Sequence, residues 1–232
     1  MTPPIRRVWV TRAEPGAART ADRLTALGFT PIVAPLLTLA LLPGALDAAP
    51  DPAAVAAVAL TSPNGVEAFA PLIPRFRDHP VFAVGDATAE AARAAGFGDV
   101  RSAAGDIHAL ARLIAAEAPP GPLLAPGARE PAGDLPALLP DHPVQRLPVY
   151  AAFETHTPAP ELFDAVMLHS PRAARALASD LPRAASSGRI AICISEAAAG
   201  PLRPFDFVEI RTAITPDEPG MLSALGKPAA PV

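Results

Sequence analysis

The sequence predicts an α/β protein of two similar lobes, each a parallel sheet flanked by helices, joined by a two-stranded antiparallel linker. Three observations support this fold class. Short β-branched runs alternate with Ala/Leu segments of helical period, which is typical of βα units around a parallel sheet. The 232 residues, half of them hydrophobic, are long for one domain and can bury a core. Blocks of the first half also recur in the second half in the same order.

The first βα unit shows the pattern. A strand is predicted at 7–11, and Ala17, Ala21 and Leu24 then recur at helical spacing. Gly28 stands where that helix is expected to end, because glycine is favoured just past a helix C-terminus. A helix is predicted from Ile107 with Leu110, Ala111 and Ile114 on one face, and further strands at 30–34, ending at 60–61, and at 81–84, 123–125, 165–168, 190–194 and 208–210.

An internal repeat sets two halves of the chain in register. The matching blocks are 57–68 with 165–176, 82–88 with 192–198 and, more loosely, 13–15 with 129–131. The first pair lies 108 positions apart, and the others have similar offsets. Three separate blocks in register indicate duplication rather than chance.

Each half also contains a Pro-flanked extended segment, 35–38 in the first and 148–151 in the second. If these segments pair antiparallel, they form a two-stranded linker, and the chain starts in one lobe, builds the other and returns. The predicted lobes are then 1–34 with 152–232, which is discontinuous, and 39–147.

Composition excludes several classes of protein. A net charge of −4 without a basic run gives no general attraction to nucleic acid. The single cysteine, Cys193, is predicted to be a buried packing residue in a reducing compartment. The apolar run 31–49 is interrupted by Pro35, Pro43 and Gly44, so no membrane span is expected. These observations predict a cytoplasmic protein.

Motifs for cofactor and metal chemistry are missing from the sequence. There is no Gly-x-Gly-x-x-Gly run, no Walker-type run and no Gly-x-Ser-x-Gly elbow. The five histidines are scattered without the spacing of metal ligands. We therefore expect neither a cofactor nor a metal.

Ser-Pro pairs follow predicted strands at equivalent places, Ser62-Pro63 in the first half and Ser170-Pro171 in the second. Taken alone, each pair is explained by helix capping, because Ser is a preferred N-cap and Pro a preferred first helical residue. Ligands of open α/β sheets bind beyond the carboxyl ends of the strands. Helix N-termini at such an edge, present in both halves, indicate binding of carboxylates or phosphates.

Motifs at five places together resemble the uroporphyrinogen-III synthase family. They are Val8–Pro15, Leu60–Val66, Val84–Ala89, Pro148–Tyr150 and the Ser170-Pro171 loop. Their order and spacing carry the resemblance over nearly the whole chain, up to about Leu225. It implies two lobes joined by a two-stranded linker, and a cofactor-free cyclisation of the linear tetrapyrrole hydroxymethylbilane with inversion of its last ring and loss of water.

That activity agrees with the anion-binding loops. The substrate carries acetate and propionate carboxylates, for which helix N-termini, backbone N–H groups and arginines are suitable receptors. Its hydroxymethyl group ionises readily with electron release from the pyrrole. The enzyme therefore needs to ease the departure of water and to hold the chain ends in one geometry within a cleft. This small-molecule substrate is the expected partner, and the protein is expected to be a monomer.

The resemblance also implies roles for individual residues. Tyr150 matches a linker tyrosine that helps the hydroxyl leave as water; the alternative is a packing residue. Thr88 matches a threonine that binds a carboxylate; the alternative is a helix cap. For the candidate arginines, the alternative is an ordinary surface position. The remaining candidates for substrate binding are Thr11, Arg12, Ser62, Asn64, Gly85, Arg129, Ser170, Arg172 and Ser195.

The second half departs from the family pattern at one loop. Where the family commonly carries Gly-x-x-Thr, this chain has Ser195-Glu196-Ala197-Ala198, which lacks the hydroxyl and has a carboxylate. That carboxylate would repel an anionic substrate, so either Glu196 points away or this lobe contacts little of the ligand. Two alternative functions stay open here: a two-lobed, non-catalytic binding protein for a small polyanion, and a catalytically weakened paralogue.

Overall fold

A computed structural model describes residues 4–229 of the protein, and their contacts divide into two units. Unit 1 takes the chain up to Leu39 and again from Phe153 onward; unit 2 is Ala40–Ala152. The lobe boundaries given above stay a prediction, and their ends at 1–3 and 230–232 lie outside the described residues.

The described residues form eleven strands and nine α-helices. The strands are β1 (Arg7–Val10), β2 (Thr30–Val33), β3 (Leu37–Leu41), β4 (Ala57–Leu60), β5 (Val81–Ala83), β6 (Val100–Ser102), β7 (Leu123–Ala128), β8 (Val144–Glu154), β9 (Ala165–Leu168), β10 (Ile190–Cys193) and β11 (Glu209–Thr212). The helices are α1 (Gly16–Ala26), α2 (Pro63–Phe69), α3 (Ile73–Phe76), α4 (Asp86–Ala94), α5 (Ile107–Glu117), α6 (Leu135–Leu138), α7 (Pro171–Asp180), α8 (Glu196–Ala199) and α9 (Glu218–Leu225).

Each unit has its own sheet, and the two sheets share one strand order. In unit 1 the order is β11-β10-β9-β1-β2, with every pair parallel. In unit 2 the order is β6-β5-β4-β7-β8, also parallel, with β3 added beside β8. The predicted α/β fold with two parallel sheets flanked by helices is confirmed.

The repeat seen in the sequence corresponds to this shared order. Strands β4 and β9 lie in the centres of their sheets and are the first pair of matching blocks. Unit 1 begins the chain with β1 and β2, whereas unit 2 makes the corresponding β7 and β8 last. The two units are therefore circular permutations of one βα arrangement.

Strands β3 and β8 are hydrogen-bonded neighbours. The Leu42 N–H donates to the Val149 carbonyl at 3.0 Å, and the Thr155 N–H donates to the Leu36 carbonyl at 3.1 Å. Positions rise along one strand as they fall along the other, which is antiparallel pairing. The boundaries between the units fall within these strands, which are longer than the predicted linker segments.

Local predictions for single residues are also confirmed. Helix α5 begins at Ile107 and buries Leu110, Ala111 and Ile114. Gly28 follows the C-cap of α1 with φ +88°, a backbone conformation that glycine adopts without a steric penalty. Cys193 is fully buried, and burial, with a smaller effect of nearby Glu196, raises the pKa of its thiol to about 12.

One strand escaped the sequence analysis. β6 has only three residues, all half-buried, so it lacks the apolar run that identifies the central strands. Across residues 4–229, no helix combines the length and apolar character that crossing a bilayer requires.

Candidate active site

The strand order creates a switch point at the carboxyl edge of each sheet. In unit 2 the chain continues from β4 toward β5 on one side and from β7 toward β8 on the other. In unit 1, β9 and β1 diverge in the same way. Loops that separate at such a point leave a crevice where α/β proteins bind ligands.

Two predicted site residues meet at the edge of unit 2. The Ser62 hydroxyl lies 3.0 Å from the Tyr150 hydroxyl. Ser62 is also the N-cap of α2, where it accepts a hydrogen bond from the Gly65 N–H at 3.2 Å. A register shift between β7 and β8 places Ala128 opposite Tyr150, beside this edge. Side chains that are 88 positions apart thus form one hydroxyl pair.

The cap suggests the direction of the proton in this pair. Because Gly65 already donates to the Ser62 oxygen, the Ser62 O–H is available to donate to Tyr150. The phenol proton of Tyr150 is then available to a third group. Tyr150 is half-buried rather than fully enclosed.

The close approach of α2 to β7 explains the glycine within this cap. A Cβ on Gly65 would lie only 3.0 Å from the Pro126 carbonyl oxygen. A side chain here would require α2 and β7 to separate by a few tenths of an ångström beside the Ser62 cap.

Arg129 lies beside the hydroxyl pair. Its N–H donates to the Tyr150 carbonyl at 2.8 Å, and its carbonyl accepts a hydrogen bond from Arg146 Nη2 at 2.9 Å. The backbone of Arg129 is thereby held, while its side chain is exposed. Arg146, which the sequence analysis did not select, supports this loop.

Other candidates of unit 2 surround the first turns of α2 and α4. Asn64 is half-buried on α2, and Gly85 is the N-cap of α4. The carbonyl of Gly85 accepts hydrogen bonds from the Thr88 and Ala89 N–H groups. Thr88 is 3% exposed, so its side chain packs in the protein interior.

The candidates of unit 1 have mixed environments. Ser170 caps α7 by accepting from the Ala173 N–H at 3.1 Å, as Ser62 caps α2. Arg172 is half-buried in the first turn of α7, and Ser195 precedes α8. Thr11 is fully buried and donates its hydroxyl to a β9 carbonyl, so its side chain is part of the sheet rather than of an open surface.

The Glu196 carboxylate has partners within unit 1. It accepts hydrogen bonds from the Thr212 hydroxyl at 2.8 Å and from Arg203 Nη2 at 2.9 Å, which lower its pKa. Unit 2 has the same arrangement, because the Ser102 hydroxyl donates to Asp86 at 2.7 Å. Glu196 is therefore the counterpart of a carboxylate that both units carry, bound to the neighbouring strand.

A charged cluster at the edge of unit 1 was missed by the sequence analysis. Glu218 accepts hydrogen bonds from Arg12 Nη1 at 2.9 Å, His169 Nε2 at 3.1 Å and the Thr20 hydroxyl at 2.7 Å. Burial alone would raise the pKa of Glu218, but the bonds from His169 and Thr20 and the nearby positive charge lower it to about 2. Nothing in the spacing links Arg12 to Glu218, which lies 206 positions away.

No group of three or more His, Cys, Asp and Glu side chains within residues 4–229 is arranged to hold a metal ion.

Comparison with known proteins identifies the family. A family model described as uroporphyrinogen-III synthase HemD matches residues 18–223. The chain belongs to the uroporphyrinogen-III synthase family. Membership confirms the predicted function and enzyme class, that of a cyclising lyase of tetrapyrrole biosynthesis, and implies a tetrapyrrole substrate.

A solved structure agrees with this fold. A mutant uroporphyrinogen III synthase from the extremely thermophilic bacterium Thermus thermophilus superposes with a TM-score of 0.54 at 18% identity, covering 95% of this chain and 97% of that one. The wild-type protein of the same organism gives a TM-score of 0.46 at 19% identity, covering 95% of each chain. No curated protein matches this chain.

Proposed function

We propose that the Ser62–Tyr150 pair assists the loss of water from hydroxymethylbilane, and that this step commits the chain's uroporphyrinogen-III synthase reaction. The observation that supports this role is the 3.0 Å contact between the two hydroxyls at the switch point of unit 2. A half-buried phenol at a sheet edge is accessible to substrate and is still held by its partner.

The proposed proton path follows the hydrogen bonds. The Gly65 N–H donates to Ser62, Ser62 donates to Tyr150, and Tyr150 donates to the hydroxymethyl oxygen of the substrate. Such a chain polarises the last O–H. The C–O bond breaks as the pyrrole releases electrons, and the oxygen leaves as water with the phenol proton. The proton released when the ring closes restores the phenol.

Substrate carboxylates are proposed to bind arginines at the strand ends, Arg129 in unit 2 and Arg12 and Arg172 in unit 1. Arginine forks suit carboxylates because they donate two parallel hydrogen bonds. The first turns of α2, α4 and α7, with Asn64, Gly85 and Ser170, add backbone donors, and Ser195 adds a hydroxyl. Several fixed contacts hold the linear chain in one geometry, and this restriction is itself a large part of catalysis.

Two further proposals concern the protein as a whole. We propose that it acts as a monomer in the cytoplasm, where the buried thiol of Cys193 remains reduced. We also propose that the lobes are 1–34 with 152–232 and 39–147, with 35–38 and 148–151 as linker strands.

A product assay tests the proposed function. Hydroxymethylbilane is incubated with the wild-type protein, and the oxidised porphyrins are separated into type I, which forms spontaneously, and type III. We expect type III product. Type I product alone would contradict the function and favour a binding protein.

The role of Tyr150 is tested by Tyr150→Phe in the same assay. The ring and its packing against the unit 2 core remain, so we expect an unchanged melting temperature. Loss of a general acid lowers kcat by about 100-fold. A kcat within about twofold of wild type would show that Tyr150 only packs.

A further inference from the structure

The shared strand order makes positions of the two units comparable. Trp9 of β1 lies opposite Val166 of β9, and Leu124 of β7 lies opposite Val58 of β4. Because Val58 and Val166 are equivalent in the repeat, Trp9 corresponds to Leu124. Counting three residues onward from each, past the end of β1, Arg12 corresponds to Gly127, one position before the residue implied by the looser sequence match of 13–15 with 129–131.

Two further correspondences follow. His169, immediately after β9, corresponds to Thr61 after β4. Strands β11 and β6 are the equivalent edge strands of the two sheets. The helices that follow them, α9 and α5, are capped by Asp217 and Asp106 respectively. The next residue is Glu218 in unit 1 and Ile107 in unit 2.

The charged cluster of unit 1 is thus absent as a set from unit 2. Gly127, Thr61 and Ile107 stand where unit 1 has Arg12, His169 and Glu218, and Ile107 packs against Gly133 and the unit 2 core. Unit 2 therefore forms the same fold with uncharged residues at these three positions. Buried ion pairs are commonly replaced by apolar residues without loss of stability, so the fold alone does not require the cluster.

Within the cluster, Arg12 is the most exposed of the three charged or titratable side chains. Glu218 is 10% exposed in its side chain and His169 8%, whereas Arg12 is 33% exposed. The buried carboxylate therefore anchors a guanidinium that reaches solvent at the carboxyl edge. On the other side, a Cβ on Gly16 would overlap the Arg12 guanidinium, so the glycine lets Arg12 lie against α1.

His169 takes part through one nitrogen. Its Nε2 lies 3.1 Å from Glu218, while its Nδ1 is buried without a hydrogen-bond partner among the described residues. Burial of a polar atom without a partner is unfavourable for folding.

We propose that Glu218, together with His169 and Thr20, is a positioning residue that holds the Arg12 guanidinium for a carboxylate of the substrate. The inference rests on the proposed function. It gives unit 1 a preorganised charged contact, whereas unit 2 supplies the Ser62–Tyr150 hydroxyls. Preorganisation matters because a guanidinium that is already held loses less freedom when it binds a carboxylate.

A double-mutant cycle tests the inference. KM and kcat for hydroxymethylbilane are measured for wild type, Arg12→Ala, Glu218→Gln and the double variant. We expect Arg12→Ala to raise KM about tenfold, the effect of one charge-assisted hydrogen bond. Glu218→Gln should raise KM about threefold to tenfold with kcat within about twofold, and should add less than about twofold once Arg12 is removed.

A second variant moves Arg12 without changing charge. Gly16→Ala displaces the guanidinium and should raise KM as Glu218→Gln does. The matched control is Gly200→Ala, because an added Cβ there meets nothing within 4 Å. Glu209→Gln, which breaks the ion pair with Arg211 at 2.8 Å, is the control for loss of one negative charge. Both controls should leave KM within about twofold of wild type.

The outcomes separate positioning from stability. If Glu218→Gln and Gly16→Ala lower the melting temperature but leave KM unchanged, the cluster is structural and the inference is wrong. An equal effect of Glu218→Gln with and without Arg12 would also overturn it. If Glu218→Gln does not fold, Gly16→Ala decides. The product of the wild-type protein tests the function separately, since type III product with an unchanged KM rejects the inference alone.

Discussion

The two units have the same strand order but different chemistry at their central crevices. Unit 2 brings the hydroxyls of Ser62 and Tyr150 together, and unit 1 buries Glu218 against Arg12 and His169. Features common to both units satisfy the backbone or fix a helix, such as the serine caps of α2 and α7. The comparison indicates that the duplicated scaffold supports each site, while side chains at the switch point determine its chemistry.

The largest predicted effect is on the stability of unit 1 and depends on pH. The pKa of Glu218 is lowered to about 2 from 4.5, so its stabilising effect is complete above about pH 5.5 and is lost as the pH falls toward 2. We expect Glu218→Gln to lower the free energy of unfolding by up to about 3 kcal/mol at pH 7 and by little near pH 2. Urea unfolding at several pH values measures this difference.

Hydrogen exchange shows which unit loses stability in Glu218→Gln. Peptides from unit 1 should lose protection in Glu218→Gln at pH 7, and those from unit 2 should not, because Ile107 replaces the carboxylate there. Equal loss in both units would show that they unfold together and that the comparison does not extend to stability.

The equivalent segments after β5 and β10 provide the next test. Thr88 and Ala198 are equivalent, and both are buried, at 3% and 0% exposure. Ala198→Thr adds a methyl group and a hydroxyl to filled space, so we expect a loss of about 2 kcal/mol in unfolding free energy. Thermal unfolding of Ala198→Thr and wild type measures it. An unchanged melting temperature would mean that the two loops are interchangeable.

The two serine caps provide the finest comparison. Ser62→Ala and Ser170→Ala each remove one cap and should cost about 1 kcal/mol in stability. Only Ser62 contacts Tyr150 in the described structure, so Ser62→Ala should also lower kcat about tenfold more than Ser170→Ala. Steady-state assays on both variants measure the ratio. Equal kcat values would remove the hydroxyl pair from the mechanism.

Much of the fold was predictable because its signals are local. The runs at 165–168 and 190–194 are apolar throughout, and the strands end within one residue of the predicted positions. The repeat then placed the strands in two equivalent sets. The three-residue β6 could not be found, since its pairing with β5 rather than its own sequence makes it a strand.

The site was less predictable because its contacts join distant positions. Ser62 was selected from the Ser-Pro pair after its strand and Tyr150 through the family resemblance, and nothing in the sequence showed that they touch. Glu218 was missed because it is an isolated carboxylate far along the chain from Arg12. The sequence also did not show that Glu196 is bound by Thr212 and Arg203, as Asp86 at the equivalent position is bound by Ser102.

The circular permutation has a consequence for biosynthesis. Unit 2 is one continuous segment, Ala40–Ala152. In unit 1, by contrast, β1 can pair with its neighbour β9 only after β9 has been translated. The Asp164 carboxylate that binds the Arg6 and Arg7 N–H groups also comes late. During synthesis, all of unit 2 is therefore translated while β1 still lacks its neighbour β9. At that stage β1 has only β2 beside it, and its open edge is exposed to chaperones and proteases.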